Sequence, residues 1–234
     1  MAAQSIWDTT FWNDANLISY YRLEGGLFDN AKAANHYDLT ANGGPTYTGG
    51  QFGQCLVVNG AQSGTIAGAS IPNLDIVGAK TYYCWLYLAD NTVSSYPVAR
   101  CDVGVTKICG FRFSVGANGL GFIHTGTTAT EANSGTTPAN GSWHQLVGVY
   151  DGSNLKIYVD KIVTSVAATG NGSATGAGVD LALGKLGADG VNLNGRLDDV
   201  AIFNRALSAS EINSLFDGTA TPYSHAAGSF LPLL

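Results

Sequence analysis

Short apolar runs with the composition of β-strands recur along the chain. Four of them are TYYCWLYLA (81–89), WHQLVGVY (143–150), NLKIYVD (154–160) and DDVAIFN (198–204). Their length and their content of β-branched and aromatic residues are typical of strands rather than of helices. In NLKIYVD, Leu155, Ile157 and Val159 occupy every second position, which predicts a strand with one buried face.

Asn-Gly and Asp-Gly dipeptides separate these runs. They occur at 42–43, 59–60, 118–119, 140–141, 151–152, 171–172, 189–190 and 194–195. Such residues tolerate the positive φ angles of hairpin turns. The spacing predicts an antiparallel β-sandwich, and its clearest hairpin joins the 143–150 and 154–160 runs.

One short helix is predicted near the end of the chain. Ser208 and Glu211 have the spacing of a capping box, and Gly218 is placed to end the helix. Ile212 and Leu215 share one face, so the helix should pack on the edge of the sandwich.

The composition agrees with a single all-β domain. The chain has 234 residues, of which 12% are charged and 31 are glycine, and this suits many short strands joined by tight turns. With a net charge of -6 and 11 Lys plus Arg in no basic cluster, we expect no nucleic-acid partner.

The apolar runs also bear on membranes and on localisation. None approaches the roughly 20 residues that span a bilayer, so no membrane span is predicted. The start, MAAQSIWDTTFW, lacks a charged segment followed by an apolar one, so no secretory signal is predicted. The localisation stays open, with a virion or an extracellular surface as candidates.

Four cysteines leave one redox question. Cys101 and Cys109 flank a seven-residue segment, so a hairpin could bring them together as a cross-strand disulfide. Free thiols are slightly favoured, because no export signal is evident.

The acidic residues do not form the pattern of a glycosidase. Retaining glycosidases need two carboxyl groups about 5–5.5 Å apart, and the three glutamates, Glu24, Glu131 and Glu211, are far apart in the sequence. Asp198 and Asp199 are adjacent on a predicted strand, and regular alternation would direct them to opposite faces. With no Gly-x-Ser-x-Gly motif and no metal-ligand spacing among the histidines, the protein is predicted not to be an enzyme.

Four segments carry a resemblance to a known family. They are LISYYRLEGGLFDNA (17–31), YYCWLYL (82–88), GSWHQLVGVYDGSNLKIYVD (141–160) and LNGRLDDVAIFNRALSASEI (193–212). In this order they resemble the laminin-G-like, concanavalin A-like lectin/glucanase jelly-roll family. The chain departs from the family pattern where Lys161 follows Asp160, and where FDNAKAANHYDL keeps Asp29 without the usual Ser-Gly.

The resemblance implies an all-β antiparallel jelly-roll β-sandwich over residues 17–218, with its first and last strands paired. Residues 1–16 and 219–234 would then be N-terminal and C-terminal extensions. Family members often act as non-catalytic modules that bind glycans or proteins, frequently with a calcium ion at the rim of a sheet.

Calcium is accordingly a candidate cofactor. The resemblance places its ligands at Glu24 or Asp29 in the first motif and at Asp198 in the last, and hard cations prefer such oxygen ligands. Regular alternation would put Asp198 on the inward face with Val200 and Ile202, and Asp199 on the other face. The alternative is that Asp198 caps a turn or pairs with Arg196 or Arg205.

The predicted function is recognition or adhesion, with carbohydrate as the favoured ligand and Tyr47, Tyr96 and His124 as candidate contacts. The alternative is a structural or decoration protein of a phage or virus particle, in which the termini contact other subunits. Its apolar candidates are Trp7, Phe11 and Trp12 at one end and Phe230, Leu231, Leu233 and Leu234 at the other. A polysaccharide-active enzyme is a weaker alternative.

Overall fold

The strands alternate along almost the whole chain with short turns. The computed structural model describes residues 2–32, 36–101, 108–115, 119–124, 130–170, 179–186 and 191–222. Its strands are β1 (Leu17–Tyr21), β2 (Thr40–Asn42), β3 (Thr46–Gly49), β4 (Gln54–Asn59), β5 (Ser63–Ile66), β6 (Lys80–Leu88), β7 (Val98–Cys101), β8 (Ile108–Ser114), β9 (Gly119–His124), β10 (Glu131–Asn133), β11 (Trp143–Tyr150), β12 (Asn154–Val159), β13 (Ile162–Ala167), β14 (Asp180–Leu183), β15 (Lys185–Leu186), β16 (Val191–Asn192) and β17 (Asn194–Phe203). Helix α1 spans Ala209–Asp217, and 3₁₀ turns span Ile6–Asp8, Thr10–Asn13, Gly68–Ser70 and Pro72–Leu74.

Two antiparallel sheets contain most of these strands. One has the order β13-β12-β11-β6-β17-β4-β3, with β1 also pairing to β17, and the other has the order β10-β9-β8-β7-β14-β5-β2. This arrangement confirms the predicted all-β sandwich. The first strand lies beside the last, with Tyr20 opposite Ala201, as the resemblance implied.

Alternate residues of each strand fill the space between the two sheets. From β6, Tyr82, Cys84 and Leu86 belong to the same buried cluster as Phe111 and Phe122 of the second sheet. The period of two along β6 therefore produces one continuous core between the sheets.

A second apolar layer covers the opposite side of the eight-stranded sheet, called the outer face here. Tyr83 and Phe203 project onto this face and join a cluster with Ile6 of the N-terminal segment and with Ile212 and Leu215 of α1. Most of β6, up to Leu86, is covered on both faces, in keeping with an almost continuously apolar sequence rather than an alternating one.

Helix α1 has the ends that the sequence predicts. The Ser208 Oγ accepts a hydrogen bond from the Glu211 amide at 3.2 Å, and the Ser208 amide donates to Glu211 Oε2 at 2.7 Å. Gly218 ends the helix with a φ of 68°, a conformation that glycine adopts without a Cβ penalty. The capping box is confirmed.

The predicted central hairpin is also present. Strands β11 and β12 pair with Tyr150 opposite Leu155. Asp160 and Lys161 follow with φ values of 49° and 72°, which is typical of a type I′ turn. Lys161, a departure from the family pattern, therefore stands in a tight turn that leads into β13.

The N-terminal residues pack on the domain where the structure describes them. Ile6 is fully buried, the Gln4 amide donates to the Leu215 carbonyl at 2.9 Å, and the Thr10 amide donates to the Thr221 carbonyl at 3.0 Å. Residues 2–16 thus form part of the outer-face layer. The apolar residues of the predicted C-terminal extension, at positions 230–234, lie outside the described residues, as does His225.

Two further predictions concern cysteines and membranes. Cys109 is a buried free thiol in this structure and lies opposite Arg100 across β7 and β8, whereas Cys101 lies opposite Ile108. The register therefore does not pair the two cysteines directly, and the free-thiol hypothesis stays the favoured prediction. Within the described parts of the chain, no helix is long and apolar enough to cross a membrane.

Candidate functional site

A β-bulge changes the positions of the two adjacent aspartates. Asp198 lies opposite Trp85 and Ala201 lies opposite Tyr83, so β17 has one residue more than β6 between these pairs. Asp199 takes up the irregularity with a φ of 51°. Asp198 and Asp199 therefore both lie on the outer face, and the prediction that they point to opposite faces is wrong. That prediction assumed a regular strand without a bulge.

Asp199 holds the N-terminal segment on the sheet. Its carboxylate accepts hydrogen bonds from the Ser5 Oγ at 2.9 Å, from the Ile6 amide at 2.8 Å and from the Tyr20 hydroxyl. Burial raises the pKa of Asp199 to about 6, and the hydrogen bonds oppose that rise. Asp199 was not among the predicted site residues, yet it links the N-terminal segment to the last strand.

Asp198 has one engaged and one free carboxylate oxygen. Oδ2 accepts a hydrogen bond from the Phe52 amide at 2.8 Å, and Oδ1 is buried with no hydrogen-bond partner among the described residues. Burial, followed by the charge of Asp199, raises the pKa of Asp198 to about 8. A Cβ at Gly50 would lie 2.5 Å from Oδ2, so the turn between β3 and β4 approaches the carboxylate closely.

The expected arginine partners of Asp198 lie elsewhere. Arg205 pairs with Asp14 at 2.6 Å and with Glu211 at 2.8 Å, and Arg196 lies over the ring of Tyr87. Of the predicted alternatives, the contact of Asp198 with a turn is the one that the structure contains.

Asp29 uses both oxygens within the protein. It accepts hydrogen bonds from the Ser19 hydroxyl at 2.9 Å and from the amides of Tyr20, Ala31 and Tyr37 at 2.9, 3.0 and 3.1 Å. These bonds oppose the rise in the pKa of Asp29 that burial causes. Asp29 therefore ties β1 to the loop that follows it.

Glu24 is partly exposed. Its carboxylate lies 3.9 Å from Arg22 and accepts a hydrogen bond from the Gln54 amide at 2.9 Å. It thus contacts the same β3–β4 turn that Asp198 holds from another side.

Calcium requires six to eight oxygen ligands around one point. Among the described residues, no group of three His, Cys, Asp or Glu side chains could hold a metal ion. The bonds of Asp29 do not fit a ligand role, whereas the free Oδ1 of Asp198 does. Glu24, Asp29 and Asp198 are therefore not assembled as one site, and calcium binding stays a prediction that now rests on Asp198.

The predicted sugar contacts are mostly inside the protein. Tyr96 is buried in a small cluster with Ile123 and Leu186. His124 is fully buried in β9 and stacks on Tyr150 with ring centroids 5.2 Å apart. Tyr47 is partly exposed and packs against the core between the sheets. Tyr96 and His124 are too buried to form an open sugar platform.

An open strip of aromatic and cationic side chains lies beside the covered part of the outer face. Cross-strand register places Trp143, Tyr87, Arg196, Val57 and Thr46 side by side on β11, β6, β17, β4 and β3, and we call these five residues the outer-face row. All are partly or largely exposed. The rings of Trp143 and Tyr87 are 5.6 Å apart at 61°, and the Arg196 guanidinium is 4.7 Å from the centre of the Tyr87 ring.

The row combines two kinds of contact. Aromatic faces bind the apolar faces of ligands, and a guanidinium donates hydrogen bonds in a planar fork. The sequence signal for this site is weak, because each residue is one large or polar position on a different strand. Only the register of five strands brings them together.

The chain is similar to a known protein family. The family model described as the concanavalin A-like lectin/glucanases superfamily matches residues 59–213. A search of curated proteins found no significant match.

Several solved structures have a similar fold. Domain 4 of AbnA, an extracellular arabinanase from Geobacillus stearothermophilus, in complex with arabinotriose, aligns with a TM-score of 0.69 at 19% identity, over 86% of this chain and 98% of that one. A Trypanosoma rangeli sialidase aligns with a TM-score of 0.61 at 15% identity, over 88% of this chain and 34% of that one.

Botulinum neurotoxin type C, whose cell entry depends on interaction with two ganglioside molecules, aligns with a TM-score of 0.63 at 14% identity, over 90% of this chain and 52% of that one. At these identities the likeness concerns the fold. The chain spans about a third of the sialidase and about half of the neurotoxin chain.

Proposed function

Because the chain belongs to the concanavalin A-like lectin/glucanases superfamily, we propose that it is a non-catalytic module that binds carbohydrate. Two proteins of similar fold are described with arabinotriose and with gangliosides, which supports a carbohydrate ligand. The fold also occurs in a sialidase chain, so the non-catalytic part of the proposal depends on the acidic residues of this chain.

The positions of the acids favour binding over hydrolysis. The three glutamates lie on separate elements: Glu24 follows β1, Glu131 begins β10 and Glu211 lies in α1. The pair Asp198 and Asp199 shares a face, but the two residues are 0% and 1% exposed beneath the N-terminal segment and the β3–β4 turn. A substrate could not reach these carboxylates without displacing that cover.

The outer-face row is the observation that carries the proposal. Sugar rings expose apolar C–H faces and polar edges, so they match an aromatic surface bordered by hydrogen-bond donors. Trp143 and Tyr87 supply the aromatic surface, and Arg196 and Thr46 supply polar groups beside it. Five strands about 4.8 Å apart span roughly 19 Å, which suits an oligosaccharide.

A glycan array followed by calorimetry on the best ligand tests the proposal. We expect binding to at least one glycan class, and we expect Trp143→Ala and Tyr87→Leu each to weaken it by at least about tenfold, or about 1.4 kcal/mol. Phe28→Ala is the matched control, because Phe28 is 57% exposed and lies outside the row. Melting temperatures establish that the variants fold.

Two results would contradict the proposal. One is the absence of binding across a broad array. The other is a Trp143→Ala variant that is folded and binds as tightly as the Phe28→Ala control, because the outer-face row would then not be the binding site.

A further inference from the structure

The arginines of the chain differ in one respect. All five lie in the described residues, and four are paired with carboxylates. These pairs are Arg22–Glu24 at 3.9 Å, Arg100–Asp75 at 2.9 Å, Arg112–Glu131 at 2.5 Å and Arg205–Asp14 at 2.6 Å. Arg196 is the fifth, and its guanidinium contacts the Tyr87 ring but has no carboxylate partner among the described residues.

Within the part of the chain that the structure describes, the surroundings of Arg196 leave its donors available to a ligand. Its cross-strand neighbours on the outer face are Tyr87 and Val57, which are uncharged. Asp198 lies two residues further along the same strand face, but it is fully buried and forms no ion pair with Arg196 in the described structure. The ring of Tyr87 holds the guanidinium against the sheet, so the fork of N–H groups is positioned in advance.

We infer that the bound carbohydrate is acidic and that Arg196 binds a carboxylate of one of its sugar rings. This inference rests on the proposed function and names the class of its ligand. A guanidinium matches the planar geometry of a carboxylate with two parallel hydrogen bonds. Since Trp143, Tyr87 and Arg196 are successive cross-strand neighbours, a glycan that lies along the row places a carboxylate beside Arg196.

The overall charge of the protein favours one position for an acidic glycan. The protein has a net charge of -6, so its overall electrostatic field disfavours an acidic glycan. Arg196, which has no carboxylate partner among the described residues, offers such a glycan a favourable site on the outer-face row. Attraction at Arg196 and the unfavourable overall field together orient the glycan. Its carboxylate therefore sets its position along the outer-face row.

Matched ligands separate the charge from the rest of the sugar. Oligosaccharides of galacturonic, glucuronic and guluronic acid are compared with their methyl esters, which retain the ring and lose the charge. We expect at least one acid to bind the wild-type protein at least tenfold more tightly than its ester, and this ratio to fall as the salt concentration rises.

Three variants assign the effect to Arg196. Arg196→Met should bind acid and ester equally, because its affinity for the acid should fall by more than its affinity for the ester. Arg196→Lys, which keeps the charge without the planar fork, should retain part of the preference. Arg22→Met is the control, because Arg22 also lies over an aromatic ring, that of Trp7 at 4.3 Å, but is paired with Glu24. Its preference should equal that of the wild type.

The outcomes distinguish the inference from the proposed function. Binding of neutral glycans or esters as tightly as acids, or of sulfated glycans alone, overturns the carboxylate inference and leaves carbohydrate binding in place. An acid preference that survives in Arg196→Met overturns the role of Arg196. Failure of all acidic and neutral glycans to bind overturns the proposed function as well.

Discussion

The covered and open halves of the outer face use similar residues in different ways. In the covered half, Trp85 lies between Phe52 and Phe216, with ring centroids 5.8 and 5.9 Å away, and Asp198 and Asp199 are buried beside them. In the open half, two aromatic rings lie beside Arg196, which has no acidic partner in the described residues. Both halves belong to the same sheet and are separated by one or two residues along each strand.

The difference lies in where the hydrogen-bonding capacity is used. Asp199 accepts hydrogen bonds from three donors inside the protein and thereby attaches the N-terminal segment to the sheet. Arg196 retains its donors at the surface. An ionisable residue among aromatic side chains can thus stabilise the fold or bind a ligand. The hydrogen bonds that it forms within the protein distinguish these two roles.

The largest effect is expected from Asp199→Ala in the covered half. The substitution leaves the Ser5 hydroxyl, the Ile6 amide and the Tyr20 hydroxyl without their acceptor, so we expect a loss of at least about 2 kcal/mol in the free energy of unfolding. Urea denaturation measures it, and faster proteolysis within residues 2–16 should accompany it. Asp90→Ala removes an exposed carboxylate that bonds only to Thr92 in its own turn and should cost clearly less. Equal stability of the two variants would show that Asp199 does not hold the N-terminal segment.

The pH dependence of stability is the next expected effect. The pKa values of Asp198 and Asp199 are raised from 3.8 to about 8 and about 6, so the folded state binds protons more tightly than the unfolded state. Their stabilising contribution to the free energy of unfolding is fully present below about pH 4 and is lost as the pH rises through about 6 and about 8. Each group changes the free energy of unfolding by at most about 1.4 kcal/mol per pH unit.

Denaturation in EDTA at pH 5, 7 and 9 measures this slope. His144, whose pKa is raised by its hydrogen bond to Asp160, acts in the same direction, so the comparison with Asp198→Asn is decisive. The variant should lose the slope between about pH 6 and about pH 8, where of the two aspartates only Asp198 stays protonated in the folded state. It should be more stable than the wild type at pH 9. Identical slopes would contradict the assignment to Asp198. Calcium chloride in place of EDTA tests the calcium prediction, since an ion on Asp198 would remove the same slope in the wild type and leave the variant unchanged.

Local sequence signals predict the fold well. The capping box of α1, the β11–β12 hairpin and the strand character of β6 each depend on residues that are close in sequence, and each is present. The pairing of β1 with β17 was expected from family resemblance rather than from local chemistry.

The site is less predictable because it depends on irregularity and on register. The bulge at Asp198 and Asp199 breaks a period-two pattern that the sequence obeys on both sides, and an aspartate with positive φ has no distinctive signal. The outer-face row requires the relative positions of five strands. Tyr96 and His124 were predicted to be at the surface because turn signals lie near them in the sequence. Their burial depends on packing between distant strands, which the sequence does not reveal.

The smallest effect is expected from Ser208→Ala, which weakens the cover without touching the open row. The Ser208 hydroxyl satisfies the Glu211 amide at 3.2 Å, and loss of such a cap costs about 1 kcal/mol. Ser210→Ala, at an exposed position of the same helical turn, is the control and should change little. Because α1 supports Trp85 through Phe216 and not the outer-face row, glycan affinity in Ser208→Ala should stay within about twofold of the wild type, or about 0.4 kcal/mol. Loss of affinity together with stability would show instead that the two halves of the outer face are coupled, and that the cover helps to position the row.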